Sequence, residues 1–524
     1  MGKEIEIKKK KRKLSIYYGL LVTVICIIGV SFAWFRLYLS QTENNTIASR
    51  TCFNTTLTED TSKISLTDAF PITDEDGLKQ TPFTFTIKNN CNSYVKVYIT
   101  IDSTYRENTS TSYLKDNYMK VNISPKGTTT GKSVILGSQT LTDLENNRKG
   151  YILINTWLKA NEEKSYDLRI WMDSSVTTEQ GLNKNWSGKI VVVSNASNEP
   201  TFAETILANN EIKTPITTPG AAISNDDEAL LASAEDDYGT SYYFRGAVTN
   251  NYVQFANKCW RIVRIVGDGS VKLVLHNDNT AGAANPCSSA NNSTNAAFAR
   301  YSGTTYTSAF NTNSDDNAYV GFMYGAAGAS DYASAHANTN KSTILKNLET
   351  WYTNNLATYE DKLADTIWCN DKSTESGGLG YGTNETTYAA FNRIDSTKEP
   401  TLKCPNDNNG GKLSKFTVDD TANGNGNLTY KIGLLTADEI AFAGSIAFIE
   451  NRYSYLQENT GTTVWWSLSP DIFGGSHAVF WEVHSGDLDN GDVFYRAGVR
   501  PAISLISSTS VTGNGTSDNP YVVK

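Results

Sequence analysis

Residues able to do chemistry are few in this chain and unevenly placed. Among 524 residues there are four histidines (His276, His336, His477 and His484) and seven cysteines. No C-x-x-C pair occurs, so a Cys/His zinc site lacks its ligand spacing. There is no G-x-S-x-G, no H-E-x-x-H and no serine–histidine constellation. A glycosidase needs two carboxylates at a fixed separation, whereas the acids here gather in turn and linker stretches where water solvates them. His477 and His484 flank an expected turn, but two histidines without placed carboxylates do not make a catalytic centre. One acidic run with a spacing that could do chemistry is DLDNGD, Asp487 to Asp492. Asp487, Asp489 and Asp492 around Gly491 match the first half of a calcium loop, in which hard carboxylate oxygens surround a hard cation. No glutamate closes the twelve-residue pattern, and the same run also reads as a plain hairpin turn. The expectation is a non-enzymatic protein with no catalytic residue and, that calcium alternative aside, no cofactor.

The cysteines point to a compartment. Cys26 lies in an apolar run and reads as a small hydrophobe. The six others pair as sequence neighbours, Cys52–Cys91, Cys259–Cys287 and Cys369–Cys404, which suits an oxidising environment. The first pair shares its domain with no other cysteine, while the last four allow three connectivities. Free buried thiols are the alternative in a cell that makes few disulfides.

The elements that would place these residues begin with Leu14 to Phe35, LSIYYGLLVTVICIIGVSFAWF, which has no formal charge and follows KKKKRK at 8–13. A helix of that length rises ~33 Å, enough for a hydrocarbon core of ~30 Å. The basic head, residues 1–13, is expected in the cytoplasm, with Tyr17, Tyr18, Trp34 and Tyr38 near the interfaces and the bulk outside the cell. The alternative is a cleaved secretory leader ending near Ser31-Phe32-Ala33, although the apolar run exceeds the usual ~7–15 residues. The whole chain carries −9; the head holds seven Lys/Arg against Glu4 and Glu6, leaving about −14 for the rest. So acidic an exterior argues against a nucleic-acid partner.

With 28 Tyr, 38 Gly and many Asn, Thr and Ser, the exterior part favours β-structure. Residues 36–199 read as a β-sandwich: PFTFTIKN (82–89), YVKVYITI (94–101), YMKVNIS (118–124), YILINTWL (151–158), YDLRIWM (166–172) and WSGKIVVV (186–193) alternate apolar and polar between polar turns. Residues 200–237, punctuated by prolines and ending in NDDEALLASAEDD, read as a linker with one short helix in which Ala203, Ile206 and Leu207 share a face. Residues 238–524 read as an α+β domain. FANKCWRIVRIV and GSVKLVLHN form a hairpin about Gly267-Asp268-Gly269. STILKNLETWY opens a helix capped by Ser342 or Thr343, with Ile344, Leu345, Leu348, Trp351 and Tyr352 on its buried face. LTADEIAFAG gives a second helix with a Thr436–Glu439 capping box. The chain ends in extended TTVWWSLSP, AVFWEVH and DVFYRAGVRPAISLI.

Two resemblances follow from these residues. The basic head, the apolar run closing on SFAWF and "FTIKNNCNSYVKVYI" resemble the camelysin and TasA-type surface sandwich proteins of Gram-positive bacteria. That likeness implies a surface location and assembly with its own kind. The series "DYGTSYYFRGAVTNNYVQFANKCWRIVRIVGDGSVKL", "GLLTADEIAFAG", "WWSLSP" and "YRAGVRPAISL" resembles an uncharacterised domain of gut Firmicutes and their phages marked by a W-W-x-L-S-P strand and a terminal G-V-R-P. That domain is similar to the C-type-lectin-like fold of formylglycine-generating enzymes and of the variable receptors of diversity-generating retroelements. In the enzyme branch the chemistry depends on cysteines near the end of the fold, and here no cysteine follows Cys404. In the receptor branch the stretch before the terminal motif is the displayed surface. Carried onto this chain, it implies His477, Phe480, Trp481, His484, Asp487, Asp489, Asn490, Asp492 and Tyr495 as ligand-binding candidates, with Phe480, Trp481 and Tyr495 alternatively in the core. Trp465 and Trp466 should face opposite sides of a strand, one in the core and one lining a surface or packed on a helix. Gly498 should relax the backbone, while Arg500, fixed before Pro501, should hydrogen-bond loop carbonyls. The resulting expectation is a single-pass surface protein that recognises a glycan, peptide or protein ligand. A self-associating subunit of a surface layer or fibre is second, and an enzyme of unknown chemistry third.

Overall fold

The structure, a computed structural model, describes residues 55–61, 69–104, 113–144, 148–196, 199–221, 223, 228–405 and 411–524, and the backbone alone of 37–40, 195 and 196. The expected basic head, apolar segment and Cys52 lie outside the described residues. No helix among the described residues is long and apolar enough to cross a membrane. Strands take up 35% and helices 17%, so the chain is mainly β. It divides into two compact units, Met1–Pro200 and Thr201–Lys524.

In the first unit the alternating runs become two antiparallel sheets. One has the order β1 (Leu37–Ser40), β10 (Lys189–Ala196), β4 (Val95–Asp102), β8 (Lys149–Leu158), β7 (Leu141–Asp143). The other runs β2 (Thr55–Glu59), β3 (Phe83–Asn89), β9 (Glu163–Met172), β5 (Met119–Pro125), β6 (Ser133–Ile135). Phe83, Phe85 and Ile87 of β3 share a core with Val97, Ile99 and Ile101 of β4 and with Val121, Leu168, Ile190 and Val192. Each sheet therefore buries one face against the other. Trp171, pointing away from that core, is covered by the short helix α1 (Asp74–Leu78). A side-chain carbon on Gly77 would fall 2.3 Å from its ring, so only glycine allows this approach. Cys91 is fully buried and disulfide-bonded.

The second unit starts earlier than its sequence pattern implies. Helix α2 (Phe202–Asn209) is opened by a Thr201–Glu204 capping box and puts Phe202 and Ile206 into the main core. The acidic end of the expected linker is strand β11 (Ala229–Asp236), paired over eight residues with β12 (Gly239–Gly246). The short helix expected within 200–237 is thus present, while the acidic end expected as linker is a strand. The reason is that acids expected in solvent are counter-ions: Glu228 pairs with buried Arg245 at 2.9 Å, and Asp236 pairs with Arg264.

Beyond β11 and β12 the larger sheet includes β13 (Tyr252–Phe255), β14 (Lys258–Ile265) and β15 (Val271–Asn277). The hairpin joining β14 to β15 turns through Gly269, whose φ of +86° suits glycine. Both faces of β14 are buried, and its arginines are ion-paired there, Arg261 with Glu458 and Arg264 with Asp236 and Glu439. Short strands β16 (Thr307–Ser308), β17 (Met323–Tyr324), β18 (Asn340–Lys341), β19 (Trp368–Cys369), β20 (Thr386–Thr387) and β21 (Lys415–Phe416) punctuate the long middle stretch. Helix α3 (Thr343–Asn355) is capped by Ser342 and buries Ile344, Leu345, Leu348, Trp351 and Tyr352, the face its spacing predicts. Helix α4 (Ala437–Phe442) carries the Thr436–Glu439 capping box. A second sheet follows, β16, β25 (Ala497–Gly498), β22 (Trp465–Phe473), β23 (Ala478–His484), β24 (Asp487–Asp492), with β20 also on β22. Strands β26 (Ala502–Leu505), β27 (Val511–Thr512) and β28 (Tyr521–Val523) return to the larger sheet.

Of the three connectivities open to the last four cysteines, the structure has Cys259–Cys287 and Cys369–Cys404. Cys259 and Cys287 are fully buried beside Tyr252 and close a loop of sequence separation 28. Replacing both by alanine is expected to remove about 3 kcal/mol of stability through the freer unfolded chain. A urea unfolding midpoint equal to that of the unaltered protein would refute this.

Candidate functional site

The polar residues of the C-terminal half are sorted by three strands. β22 to β24 form a meander in which β24 is the edge strand. Its register is Val479 opposite Asp492, Phe480 opposite Gly491, Trp481 opposite Asn490, Glu482 opposite Asp489, and His484 opposite Asp487. Residues directly opposite share a face, so Glu482, His484, Asp487 and Asp489 lie on one side and Trp481, Asn490 and Asp492 on the other. The calcium-loop alternative is overturned here. DLDNGD is a strand rather than a loop, alternation separates Asp492 from Asp487 and Asp489, and no group of three or more His, Cys, Asp or Glu among the described residues is placed to hold a metal ion.

The ligand candidates implied by the resemblance divide by exposure. Trp481 and Phe480 are fully buried and belong to the core: Trp481 packs on Phe391 and Phe448, and Phe480 on Phe310 and Trp466. Trp481 is therefore not a displayed residue; although Asn490 and Asp492 share its face of the ribbon, Phe391 and Phe448 cover its ring. Asp487 is 8% exposed, Asp489 and Asp492 are half-buried, and Asn490 is exposed, donating from Nδ2 to Asp471 at 3.0 Å. His477, His484 and Tyr495 are exposed. His477 lies 5.5 Å, ring to ring, from Phe494, which in turn lies 4.7 Å from Tyr495. Phe494 and Tyr495 are 37% and 55% exposed, so the three rings form a surface patch.

Beside this patch runs an open groove of about 530 Å³, lined by Glu375, Gly377, Gly378, Glu385, Thr387 and Phe473 among others. Its neighbour, the turn at Gly474, donates to the His477 carbonyl at 3.1 Å, which links groove and aromatic patch through four residues. The volume lies within the range of small-ligand sites, ~300–1,000 Å³. A second recess is of a different kind. It lies between Asp236, Arg264, Lys272, Arg393, Asp438 and Glu439, next to the Cys369–Cys404 bridge, and offers only about 20 Å³. That is room for about one water, so this recess is the seam of an ion network.

The electrostatics of the ribbon are one-sided. Burial, then Asp395 and Asp489, push the Asp471 carboxyl up to about 7 against the Asn490 hydrogen bond. Burial, then Asp489, Asp487 and Asp492, push Glu482 up to about 7 as well. Asp487 is raised by burial and by Asp489. Oδ1 of Asp471 and Oδ1 of Asp487 are buried without a hydrogen-bond partner.

The terminal motif is interior. Trp465 and Trp466 are at most 1% exposed. Trp465 lies under the Arg500 guanidinium at 4.8 Å, and Trp466 donates to the Ser308 carbonyl at 2.8 Å. Neither lines a surface, because strand β22 is covered on both faces. Gly498 has no left-handed backbone; it gives clearance, since a side-chain carbon there would meet the Phe298 ring at 2.6 Å. Arg500 is fully buried and donates to Leu275 O at 3.0 Å and Leu456 O at 2.7 Å, while Pro501 O accepts from Leu275 N.

Sequence reasoning passed over Asp471, Glu482 and Phe494, and the signal for them was present: no Lys or Arg stands between Ser467 and Tyr495. For Glu375 and Glu385 there was none, because they reach the groove from a loop about a hundred residues upstream. Compared with protein-family models, curated proteins and solved structures, the chain matches none.

Proposed function

We propose that this chain is a non-enzymatic recognition protein of a bacterial surface. On this reading it is held in the membrane by residues 14–35, the first unit is a β-sandwich spacer, and the second is a C-type-lectin-like module. The single observation that carries it is the exposed His477–Phe494–Tyr495 patch beside an open groove with two carboxylates, Glu375 and Glu385. Aromatic faces with directional polar groups next to them are what a sugar ring or an extended peptide uses for stacking and orientation.

The test is retention of the detergent-solubilised full chain on glycan and peptide arrays, compared with Tyr495→Ala and His477→Ala variants. Each variant is expected to lower retention at least tenfold with an unchanged melting temperature, since both residues are exposed. Retention equal to that of the unaltered chain in both variants would sink the reading.

A further inference from the structure

Charge narrows the ligand, on the reading just given. Between Ser467 and Tyr495 stand five carboxylates, Asp471, Glu482, Asp487, Asp489 and Asp492, and no Lys or Arg. Among the described residues none of the five forms an ion pair with a Lys or Arg. Among the buried acids elsewhere in the same unit, most are paired with a cation: Glu228, Asp236, Asp278, Asp371, Asp438 and Glu439. Asp471 and Asp487 are buried without such a partner.

Their placement is specific. Glu482 stands directly opposite Asp489, and Asp487 follows on the same face. Like charges directly opposite destabilise a sheet. Gly491 leaves the space for it, since a side-chain carbon there would meet the Glu482 carboxylate at 2.6 Å. Asp487, although 8% exposed, keeps its buried Oδ1 without a partner on that same face. The acids do not converge on a point, and no three are placed to hold a metal ion. The three that share a face, Glu482, Asp489 and Asp487, stand at the His484 end of a ribbon whose central strand, Ala478–His484, has seven residues, about 20 Å at ~3.3 Å per residue. At the Ala478 end lie the aromatic patch and the groove with Glu375 and Glu385. A strip of spaced negative charges complements a chain of spaced positive ones.

We propose that the groove and the acidic ribbon beside it dock a lysine- or arginine-bearing polypeptide segment, whose cationic groups lie along Glu482, Asp489 and Asp487. Binding is then coupled to protons. A cation beside Glu482 favours its ionised form, so the segment binds more tightly as pH rises from 6 to 8.

The probe is a fluorescein-labelled hexalysine peptide titrated with the full chain and followed by anisotropy. Hexaglutamine, spermine and calcium chloride serve as competitors. Saturable one-to-one binding is expected, weakened at least tenfold by Glu482→Gln with Asp489→Asn. The charge-matched pair Glu235→Gln with Asp361→Asn, on exposed acids outside the ribbon, should change it less than twofold. Competition is expected from unlabelled hexalysine and not from hexaglutamine or calcium. Equal weakening by the two double variants would reduce the effect to net charge and overturn the proposal. Competition by spermine at the affinity of hexalysine would overturn the polypeptide class. The Glu482/Asp489 variant should melt no lower than the unaltered chain, because it relieves a repulsion. If hexalysine fails to bind while Tyr495→Ala still abolishes array retention, the cationic class falls and the recognition reading stands.

Discussion

Glu439→Gln is expected to cost about 3–5 kcal/mol of the C-terminal unit's stability, the loss typical when one member of a buried ion network is neutralised. Glu439 is the third residue of α4, where its Oε2 accepts from the Thr436 backbone at 3.2 Å. Its Oε1 accepts from Arg264 Nε at 2.9 Å and from Lys272 Nζ at 2.7 Å, all three side chains being under 8% exposed. Glutamine keeps the volume and the capping bond, but leaves Arg264 and Lys272 with Asp236 as the remaining carboxylate. Urea unfolding followed by tryptophan fluorescence reads the difference, and a midpoint within error of the unaltered protein would remove the network from the list of what holds this unit. The pH dependence follows in sign. Burial alone would raise the Glu439 carboxyl; the Lys272 ammonium and the Arg264 guanidinium outweigh it and hold the group down at about 2. A carboxylate depressed in the folded state contributes stability that is fully present above its unfolded value of ~4.3 and is lost as pH falls through the folded one. Stability should therefore drop between about pH 4.5 and 2 in the unaltered protein, and Glu439→Gln should flatten that part of the profile.

Arg500→Ala is expected to be as severe for a different reason. The guanidinium is fully buried with no carboxylate paired to it among the described residues, and burial, with Arg261 nearby, draws it down to about 9. Its contribution is geometric: two donors satisfy Leu275 O and Leu456 O, and its plane covers Trp465. Truncation leaves two buried carbonyls without donors and a void over an indole, together about 3–5 kcal/mol. Arg500→Lys should recover only part of this, because one ammonium cannot reproduce the spacing of a planar fork. Calorimetric melting of both variants separates the cases; an Arg500→Ala protein melting with the unaltered one would show that neither carbonyl needs its donor.

What was legible in the sequence was one-sided burial. The face of α3 and the alternation of β3 are periodic because each element buries one side and wets the other, and composition records that directly. Neighbouring cysteines paired with each other, as short loops favour. The ion networks were not legible. Arg264 and Glu439 are 175 positions apart, and each looks locally like a surface residue: the first in an alternating strand, the second in an ordinary capping box. The same blindness turned β11 into a linker, since Glu228 and Asp236 read as solvated charge until their arginines are seen. At the ribbon, the stretch was found through its resemblance, but which of its residues face out was not. Trp481 and Tyr495 are equally aromatic on paper, and only the packing of Phe391 and Phe448 on the first separates core from surface.

The first strand among the described residues has a mechanical consequence. β1 runs antiparallel to β10, the last strand of the first unit, with Leu37 beside Ser194. The point where the chain enters this unit and the point where it leaves are therefore at the same end of one strand pair. Bonds in an antiparallel ladder lie across the strands. Tension between residues before Leu37 and residues after Ala196 thus opens them one after another, as a peel, rather than loading all of them together in shear. Under such a pull a four-residue strand yields first and at low force, releasing slack while the five-stranded sheet that includes β3 and β9 is left intact.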